Sequence, residues 1–379
     1  MKYRQIALGT VTGLMLLLCA QSRAQESPIY TRWENFTSAN GMPDDKVFQA
    51  AVDGKRVWAG TENGLVLIEK GKVQKVYKPE DGLANRVVTG IAVDSASGDV
   101  WLATFGGLSR LSGGEFKNYK NLSSGLANDI VYAVAVQGEF VWAATTAGIS
   151  RLNTRTGEWA IFSEKNAPMH EPWSYGIAVT DKKVYFAVWG GGLLEYDIAG
   201  GWWKPYNDPD GEMEIVLFQN QGLLHDIVSN VAYNPQTNMV WASTYFGLSG
   251  YDGHNWHNYL STDSALASDF INAVQSRGDG VWACTDKGLS YLNFKTGEWI
   301  TYRSAEKGSG GEIVITTADK KVEHRQSNTT LAHNYVLNMT FQGEDIWVAT
   351  AKGLSHGMRE PNHQSNKEGN RNEHKSASR

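Results

Sequence analysis

Short apolar segments, each four to seven residues long and bounded by Gly, Asp or Asn, recur along most of the chain. They belong to a block in which most copies read aromatic, two small or apolar residues, Thr, two variable residues, then Gly-Leu. The block begins at Trp58, Trp101, Trp142, Tyr185, Trp241, Trp282 and Trp347, and four of the six intervals are 41–43 residues. A period near 42 residues is typical of propeller blades and of helical repeats.

Each block divides into four segments that have the composition of β-strands. In the third copy they are Ile130–Val136, Phe140–Thr145, Gly148–Leu152 and Glu158–Phe162. Their shortness and their β-branched and aromatic residues argue against helices. Four antiparallel strands per unit, arranged around an axis, make a β-propeller in which each blade packs against its neighbours. The recurring Trp is therefore expected to serve blade-to-blade packing.

The fourth segment carries an aromatic-x-x-aromatic signature, as in Trp159–Phe162, with a weaker copy at Val73–Val76. No such signature follows the last Gly353-Leu354, whereas one stands unattached at Trp33–Phe36 near the start. The sequence therefore predicts that residues 31–36 form the outer strand of the last blade. The result is an all-β fold, a single seven-bladed propeller covering residues 25–358.

These blocks resemble the two-component-regulator propeller repeat. Gly82-Leu83 followed by Val100-Trp101 and Thr104, and Gly125-Leu126 followed by Val141-Trp142 and Thr145, carry the resemblance. It extends over about residues 30–358 and implies a sensor-type propeller, which in that family often forms the periplasmic part of a hybrid histidine kinase. No kinase or transmembrane segment follows here, so the resemblance does not carry signalling over directly.

The first residues read as a secretory signal. A positive start is followed by the apolar run Ile6–Leu18 and a small-x-small site that ends at Ala24. We expect residues 1–24 to be removed and the protein to be periplasmic or secreted; lipid attachment at Cys19 is the alternative. The last residues, 359–379, contain no large apolar side chain and are predicted to be a disordered tail.

Charge and cysteine content further restrict the class of protein to which this chain can belong. The formal net charge is -5, and the chain becomes more acidic once the basic first 24 residues are set aside, which argues against a nucleic-acid partner. No other apolar run approaches the length of a membrane span. Cleavage after Ala24 leaves Cys284 as the single cysteine, so an intramolecular disulfide is excluded. Cys284 occupies a repeat position that is small in every other copy and is expected to be a buried filler.

Departures from the repeat indicate where a ligand binds, because local rules tend to fail at functional sites. Three Trp residues lie off the two repeat positions, namely Trp173, Trp189 and Trp202, and all belong to the fourth block. Trp173 and Trp189 are expected on one rim near the central channel, together with Phe105, Tyr245 and Phe246. Exposed aromatics there suit ligand stacking or a protein hot spot. The alternative is that they merely fill an irregular blade.

Two connections between blades are long, at about residues 207–222 and 304–332. The first contains a segment of strand character at residues 212–218. The second reads as a hairpin of residues 313–317 and 321–325. Since repeat proteins place insertions on the binding face, both are expected to project from the rim as a lid or docking arm.

Aligning the inner strands places polar residues at the channel mouth. Most should be turn residues whose side chains accept hydrogen bonds from backbone N–H groups. Asp44 with His333, and Glu171 with His225, lie on adjacent blades and could instead form a divalent metal site or an acid–base pair.

Three classes of function follow. The first is a binding module that recognises a small molecule or an envelope protein through the rim. The second is a metal-dependent lyase or lactonase with its site at the channel mouth. The third is a scaffold that clamps a partner with the two insertions. Catalytic motifs such as HExxH and the P-loop are absent from the sequence, and the aromatics break the repeat more clearly than the titratable residues do. A recognition function without a required cofactor is therefore predicted.

Overall fold

The computed structural model describes residues 27–211, 218–305 and 310–359. The predicted signal peptide, the tail beyond Arg359 and residues 212–217 of the first insertion lie outside them. Seven antiparallel sheets follow one another, and the first strand of each packs against the first strands of the adjacent sheets, as in a ring. This confirms the predicted seven-bladed β-propeller.

The strands of the first four blades follow the chain from the centre outward. Blade 1 holds β2 (Val47–Asp53), β3 (Arg56–Thr61), β4 (Gly64–Glu69) and β5 (Lys72–Tyr77). Blade 2 holds β6 (Val88–Val93), β7 (Val100–Thr104), β8 (Gly107–Ser112) and β9 (Glu115–Tyr119). Blade 3 holds β10 (Val131–Gln137), β11 (Phe140–Thr145), β12 (Gly148–Asn153) and β13 (Trp159–Phe162). Blade 4 holds β14 (Ser174–Val179), β15 (Lys183–Val188), β16 (Gly192–Asp197) and β17 (Trp203–Tyr206).

The last three blades complete the ring. Blade 5 holds β18 (Val228–Asn234), β19 (Met239–Thr244), β20 (Gly247–Tyr251) and β21 (Trp256–Tyr259). Blade 6 holds β22 (Ile271–Arg277), β23 (Gly280–Thr285), β24 (Gly288–Asn293), β25 (Glu298–Ser304), β26 (Gly311–Thr316) and β27 (Val322–Ser327). Blade 7 holds β28 (Val336–Gln342), β29 (Asp345–Thr350), β30 (Gly353–Arg359) and β1 (Tyr30–Phe36). Short 3₁₀ turns lie at Ser38–Asn40 and Pro79–Asp81.

The N-terminal strand closes the ring as predicted. Strand β1 pairs antiparallel with β30, with Trp33 opposite Gly357 and Phe36 opposite Leu354. Tyr30, Trp33 and Phe36 are all buried. The two ends of the described chain are thereby held in one sheet, and β30 runs one residue further than the predicted boundary, through Arg359.

The Thr that recurs in six blades fixes the turn between the second and third strands. In blade 3 the buried Thr145 hydroxyl donates to the Gly148 carbonyl at 2.7 Å and accepts the Ala147 N–H at 3.1 Å. Gly148 has φ +106°, and a Cβ there would meet the Phe162 carbonyl oxygen at 2.2 Å, so only Gly fits. Five other blades make the same hydroxyl-to-carbonyl bond, at Thr61, Thr104, Thr244, Thr285 and Thr350.

The repeated Trp residues lie in the core. Trp101, Trp142, Trp241 and Trp282 are at most 2% exposed and pack between blades, as predicted. Cys284 is fully buried in the same layer, and this burial raises the pKa of its thiol. The prediction that it is a buried filler is confirmed.

The second insertion differs from expectation. Strands β26 and β27 do form the predicted hairpin, but β26 pairs with β25 and makes blade 6 a six-stranded sheet. The prediction of a projecting rim arm is therefore wrong for these two strands, which lie along the outer edge of the blade. The reason is that β25 presents apolar side chains, including Ile300, which the hairpin covers through Ile313 and Ile315.

Candidate functional site

A backbone hydrogen bond repeated in every blade builds the rim of the channel. The residue that follows the second strand donates its N–H to the carbonyl of the residue that precedes the first strand. In blade 4 the donor is Trp189 and the acceptor is Trp173, at 2.9 Å. The other pairs are Glu62–Lys46, Phe105–Val87, Thr146–Ile130, Tyr245–Ile227, Asp286–Phe270 and Ala351–Tyr335. Trp173 and Trp189 thus lie side by side on one rim.

Aromatic rings form a continuous chain around this mouth. Each ring centroid lies 4.0–6.3 Å from the next, and the series crosses blades 2 to 7. We call this set the aromatic girdle; it consists of Phe105, Tyr132, Tyr175, Trp189, Tyr245, Phe270 and Tyr335. Burial raises the pKa of the Tyr175, Tyr245 and Tyr335 hydroxyls, so all three remain protonated donors at neutral pH.

The girdle surrounds a cavity of about 670 Å³ along the channel, within the range of small-ligand sites. The second residue of every innermost strand lines it: Phe48, Thr89, Tyr132, Tyr175, Ser229, Asn272 and Leu337. Tyr132 and Tyr175 stack at 4.2 Å with an interplanar angle of 25°. Sequence reasoning missed these positions, together with Phe270 and Tyr335, although an alignment of the inner strands contains them.

A second cavity, of about 460 Å³, opens beside the channel between blades 4 and 5. It is lined by Glu171, Trp173, Trp189, Gly190, Asp208, Gly211, His225, Asp226 and Ile227, and we call it the acidic side cavity. Trp189 lines both cavities and so separates them. Four of the predicted site residues meet here, Glu171, Trp173, Trp189 and His225. Phe246, a fifth, stacks on His225 with ring centroids 4.1 Å apart.

The side cavity has a marked electrostatic character. Burial, with the nearby Asp210 and Asp226 carboxylates, raises the pKa of Asp208 to about 6. The Asp226 carboxylate accepts the Asp208 backbone N–H at 2.8 Å, which ties the first insertion to blade 5. No Lys or Arg is among the described residues that line the cavity. Sequence reasoning missed Asp208 because it lies in an aperiodic insertion.

The polar residues of the inner ring act mainly as turn acceptors, as predicted. Asp44 accepts the Lys46 N–H at 2.9 Å. The Nδ1 atoms of His225 and His333 accept the N–H groups two residues on, at 2.9 and 3.0 Å. Burial lowers the pKa of both imidazoles. A neutral imidazole that accepts at Nδ1 carries its proton on Nε2 and so donates there.

The metal hypothesis stays a prediction. Within the part of the chain that the structure describes, no group of three or more His, Cys, Asp or Glu residues is placed to hold a metal ion. Nε2 of either histidine could ligate only if its Nδ1 turn bond were given up. Glu171 and His225 do line one cavity, whereas Asp44 and His333 line neither the channel cavity nor the side cavity.

Trp202 lies outside both the channel cavity and the acidic side cavity. It is 48% exposed and lines a separate groove of about 850 Å³, whose wall includes Lys183 and Glu195. The buried Glu195 carboxylate is paired with Lys183 at 2.5 Å and accepts the Tyr206 hydroxyl at 2.8 Å. This groove holds none of the other predicted ligand residues, so Trp202 serves as a reference position away from the girdle.

Among the comparisons with known proteins, solved structures support the fold. No family model matches the chain, and no curated protein matches it. Among solved structures, the extracellular domain of a protein described as a hybrid two component system, BT3049 from B. thetaiotaomicron, is similar with a TM-score of 0.65 and 16% identity. The match covers 88% of this chain and 42% of that one.

Two further structures are similar. The extracellular domain of a protein described as a one component system, BT4673 from the same organism, has a TM-score of 0.62 and 16% identity, over 87% of this chain and 40% of that one. Virginiamycin B lyase from Staphylococcus aureus has a TM-score of 0.60 and 13% identity, over 86% of this chain and 98% of the lyase. The chain thus spans about two fifths of these two extracellular domains, whose fold matches the resemblance drawn from the repeat.

In the described residues, no helix combines the length and the apolar character that crossing a membrane would require.

Proposed function

We propose that this protein is an exported recognition module, sensor-like in architecture, that binds its ligand at the aromatic channel mouth. The continuous aromatic girdle is the observation that carries this proposal. Six blades contribute to it, and none of its rings is among the buried core residues of the described chain. A cavity of about 670 Å³ ringed by such residues suits a small molecule with a flat or apolar face.

A concave mouth favours a small ligand over an envelope protein. A scaffold would be expected to expose contiguous apolar surface on its insertions. Strand β27 instead exposes Glu323, His324 and Arg325, with Val322 as its exposed apolar residue. Charged side chains of this kind protect an edge strand from pairing with another chain.

A thermal-shift screen of the purified chain tests the proposal. The panel holds sugars, amino acids, amines, haem and quinones, and each hit is repeated with Trp189→Ala and Trp202→Ala. A ligand at about 100 times its Kd stabilises the protein by about 2.7 kcal/mol. We expect a shift that Trp189→Ala abolishes and Trp202→Ala retains. A hit that both variants retain, or a panel without hits, would count against a small-ligand site at the mouth.

The alternative is a metal-dependent lyase or lactonase. Two observations favour it: the fold is similar to that of virginiamycin B lyase, and one cavity contains both His225 and Glu171. It requires a divalent ion at the channel mouth. Adding Mg²⁺ or Mn²⁺ to the same assay distinguishes the two. Stabilisation by the metal that is lost in His225→Ala would favour the enzyme, and an unchanged Tm favours recognition.

A further inference from the structure

The His225 side chain presents a hydrogen-bond donor, its Nε2–H, in the wall of the acidic side cavity. The residue is 5% exposed, and its Nδ1 accepts the Ile227 N–H, so the neutral ring carries its proton on Nε2. Within residues 27–211, 218–305 and 310–359, that Nε2–H makes no hydrogen bond. Because His225 lines the cavity, this donor is open to a ligand that brings a hydrogen-bond acceptor.

The carboxylates of the cavity define the charge of that ligand. Glu171, Asp208 and Asp226 line it, and Asp210 stands close enough to act on the Asp208 carboxyl. Because no basic side chain faces them among the described lining residues, an anionic ligand would be repelled. A cation would relieve the mutual repulsion of these carboxylates, and its attraction would be strongest where water is partly excluded.

The aromatic walls define the kind of cation. Trp173 and Trp189 both line the cavity, and Trp173 is 47% exposed. Indole is the best aromatic partner for a cation, and cages of aromatic and acidic side chains are the usual sites for alkylated ammonium groups. A Lys-like primary ammonium loses more hydration energy on entering such a site than a methylated one.

We propose that the acidic side cavity binds an alkylated ammonium alcohol. Its ammonium lies against the Trp faces near the carboxylates, and its hydroxyl oxygen accepts the His225 Nε2–H. This inference rests on the proposed function, because Trp189 belongs to both the cavity and the girdle.

Isothermal titration calorimetry of the full chain with three matched probes tests it. Choline carries both groups, 3,3-dimethylbutan-1-ol is its neutral isostere, and propyltrimethylammonium lacks the hydroxyl. We expect choline to bind about tenfold more tightly than the neutral isostere, the worth of a partly desolvated cation–π contact. Loss of the hydroxyl should weaken binding about threefold to tenfold, the worth of one hydrogen bond.

The variants assign the effect to the cavity. Asp208→Asn should weaken choline about tenfold and leave the isostere unchanged, whereas the exposed Asp181→Asn, in the groove of Trp202, should change neither. Far-UV circular dichroism and the Tm of each variant check that it is folded. Choline binding that survives Trp189→Ala would overturn the inference, because the probe would then bind elsewhere.

The remaining outcomes separate the two proposals. Equal affinity for choline and its isostere, or no binding of choline, overturns the ammonium assignment. If another compound of the screening panel then binds in a Trp189-dependent manner, the recognition function stands and this inference alone fails. If no compound does so, both fail.

Discussion

Replacing Trp33 by Ala tests whether β1 closes the ring. Trp33 is 6% exposed, and its ring centroid lies 5.9 Å from that of Tyr302 and 6.1 Å from that of Tyr30. The indole also covers Gly357 of the paired strand, where a Cβ would meet it at 2.6 Å. Truncating a buried Trp to Ala costs about 3–5 kcal/mol, because the lost contacts leave a cavity.

Thermal unfolding followed by circular dichroism measures this cost. For roughly 330 folded residues, an unfolding entropy of about 2.1 cal/mol/K per residue converts it into a Tm decrease of about 4–7 °C. Trp202→Ala is the matched control, since the same side chain is removed from an exposed position, and its Tm should stay within about 1 °C of the parent. If Trp33→Ala melted together with the control, closure through β1 would be refuted.

Three further predictions concern single side chains. Thr145→Val should destabilise the protein by about 1–3 kcal/mol in urea denaturation, because the Gly148 carbonyl and Ala147 N–H lose their partner; an unchanged midpoint would contradict this. Asp208→Asn should raise the Tm by about 1–2 °C at about pH 7.5, equivalent to about 1 kcal/mol after solvent screening, and leave it unchanged at about pH 4. The sign follows because a carboxyl whose folded pKa is raised to about 6 adds stability at low pH that is lost as the pH rises through 6, and a lower Tm at neutral pH would refute it. Cys284 should resist iodoacetamide in the native protein and react fully in guanidinium, as read by peptide mass spectrometry; native labelling would disprove its burial.

The architecture could be predicted because the blades repeat the same local sequence features at the same places in the fold. The Thr-x-x-Gly turn and the buried Trp recur in six blades, and Tyr185 with Gly192 marks the remaining one, so seven copies of the block indicate seven blades. The unattached Trp33–Phe36 segment could be assigned to the last blade because it carries the fourth-strand signature that does not follow Gly353-Leu354.

The docking of the second insertion could not be predicted from its own residues. A hairpin forms from neighbouring residues, whereas the sheet against which it packs depends on which edge strand elsewhere in the chain is apolar. The signal lay in β25, whose Ile300 and Thr301 stand where the fourth strand of blade 5 has His257 and Asn258. An outer strand that is more apolar than its counterparts is an edge that another strand covers.

The site was predicted in part. Trp173 and Trp189 were found because they break the repeat, and the structure brings them together with Glu171 and His225. Tyr132 and Tyr175 were missed because an aromatic residue within a strand matches ordinary strand composition. Their direction toward the channel depends on ring geometry, which the chain acquires only on closing.

Fluorine NMR of the protein labelled with 5-fluorotryptophan tests the central claim most directly. The chain contains 14 Trp residues, and Trp→Phe variants assign the resonances of Trp142, Trp173, Trp189 and Trp202. If the mouth is the recognition surface, adding a compound that stabilises the protein should shift the Trp173 and Trp189 resonances and leave those of Trp202 and the buried Trp142 in place. A compound that shifts Trp202 alone, or moves no tryptophan resonance, would contradict the account.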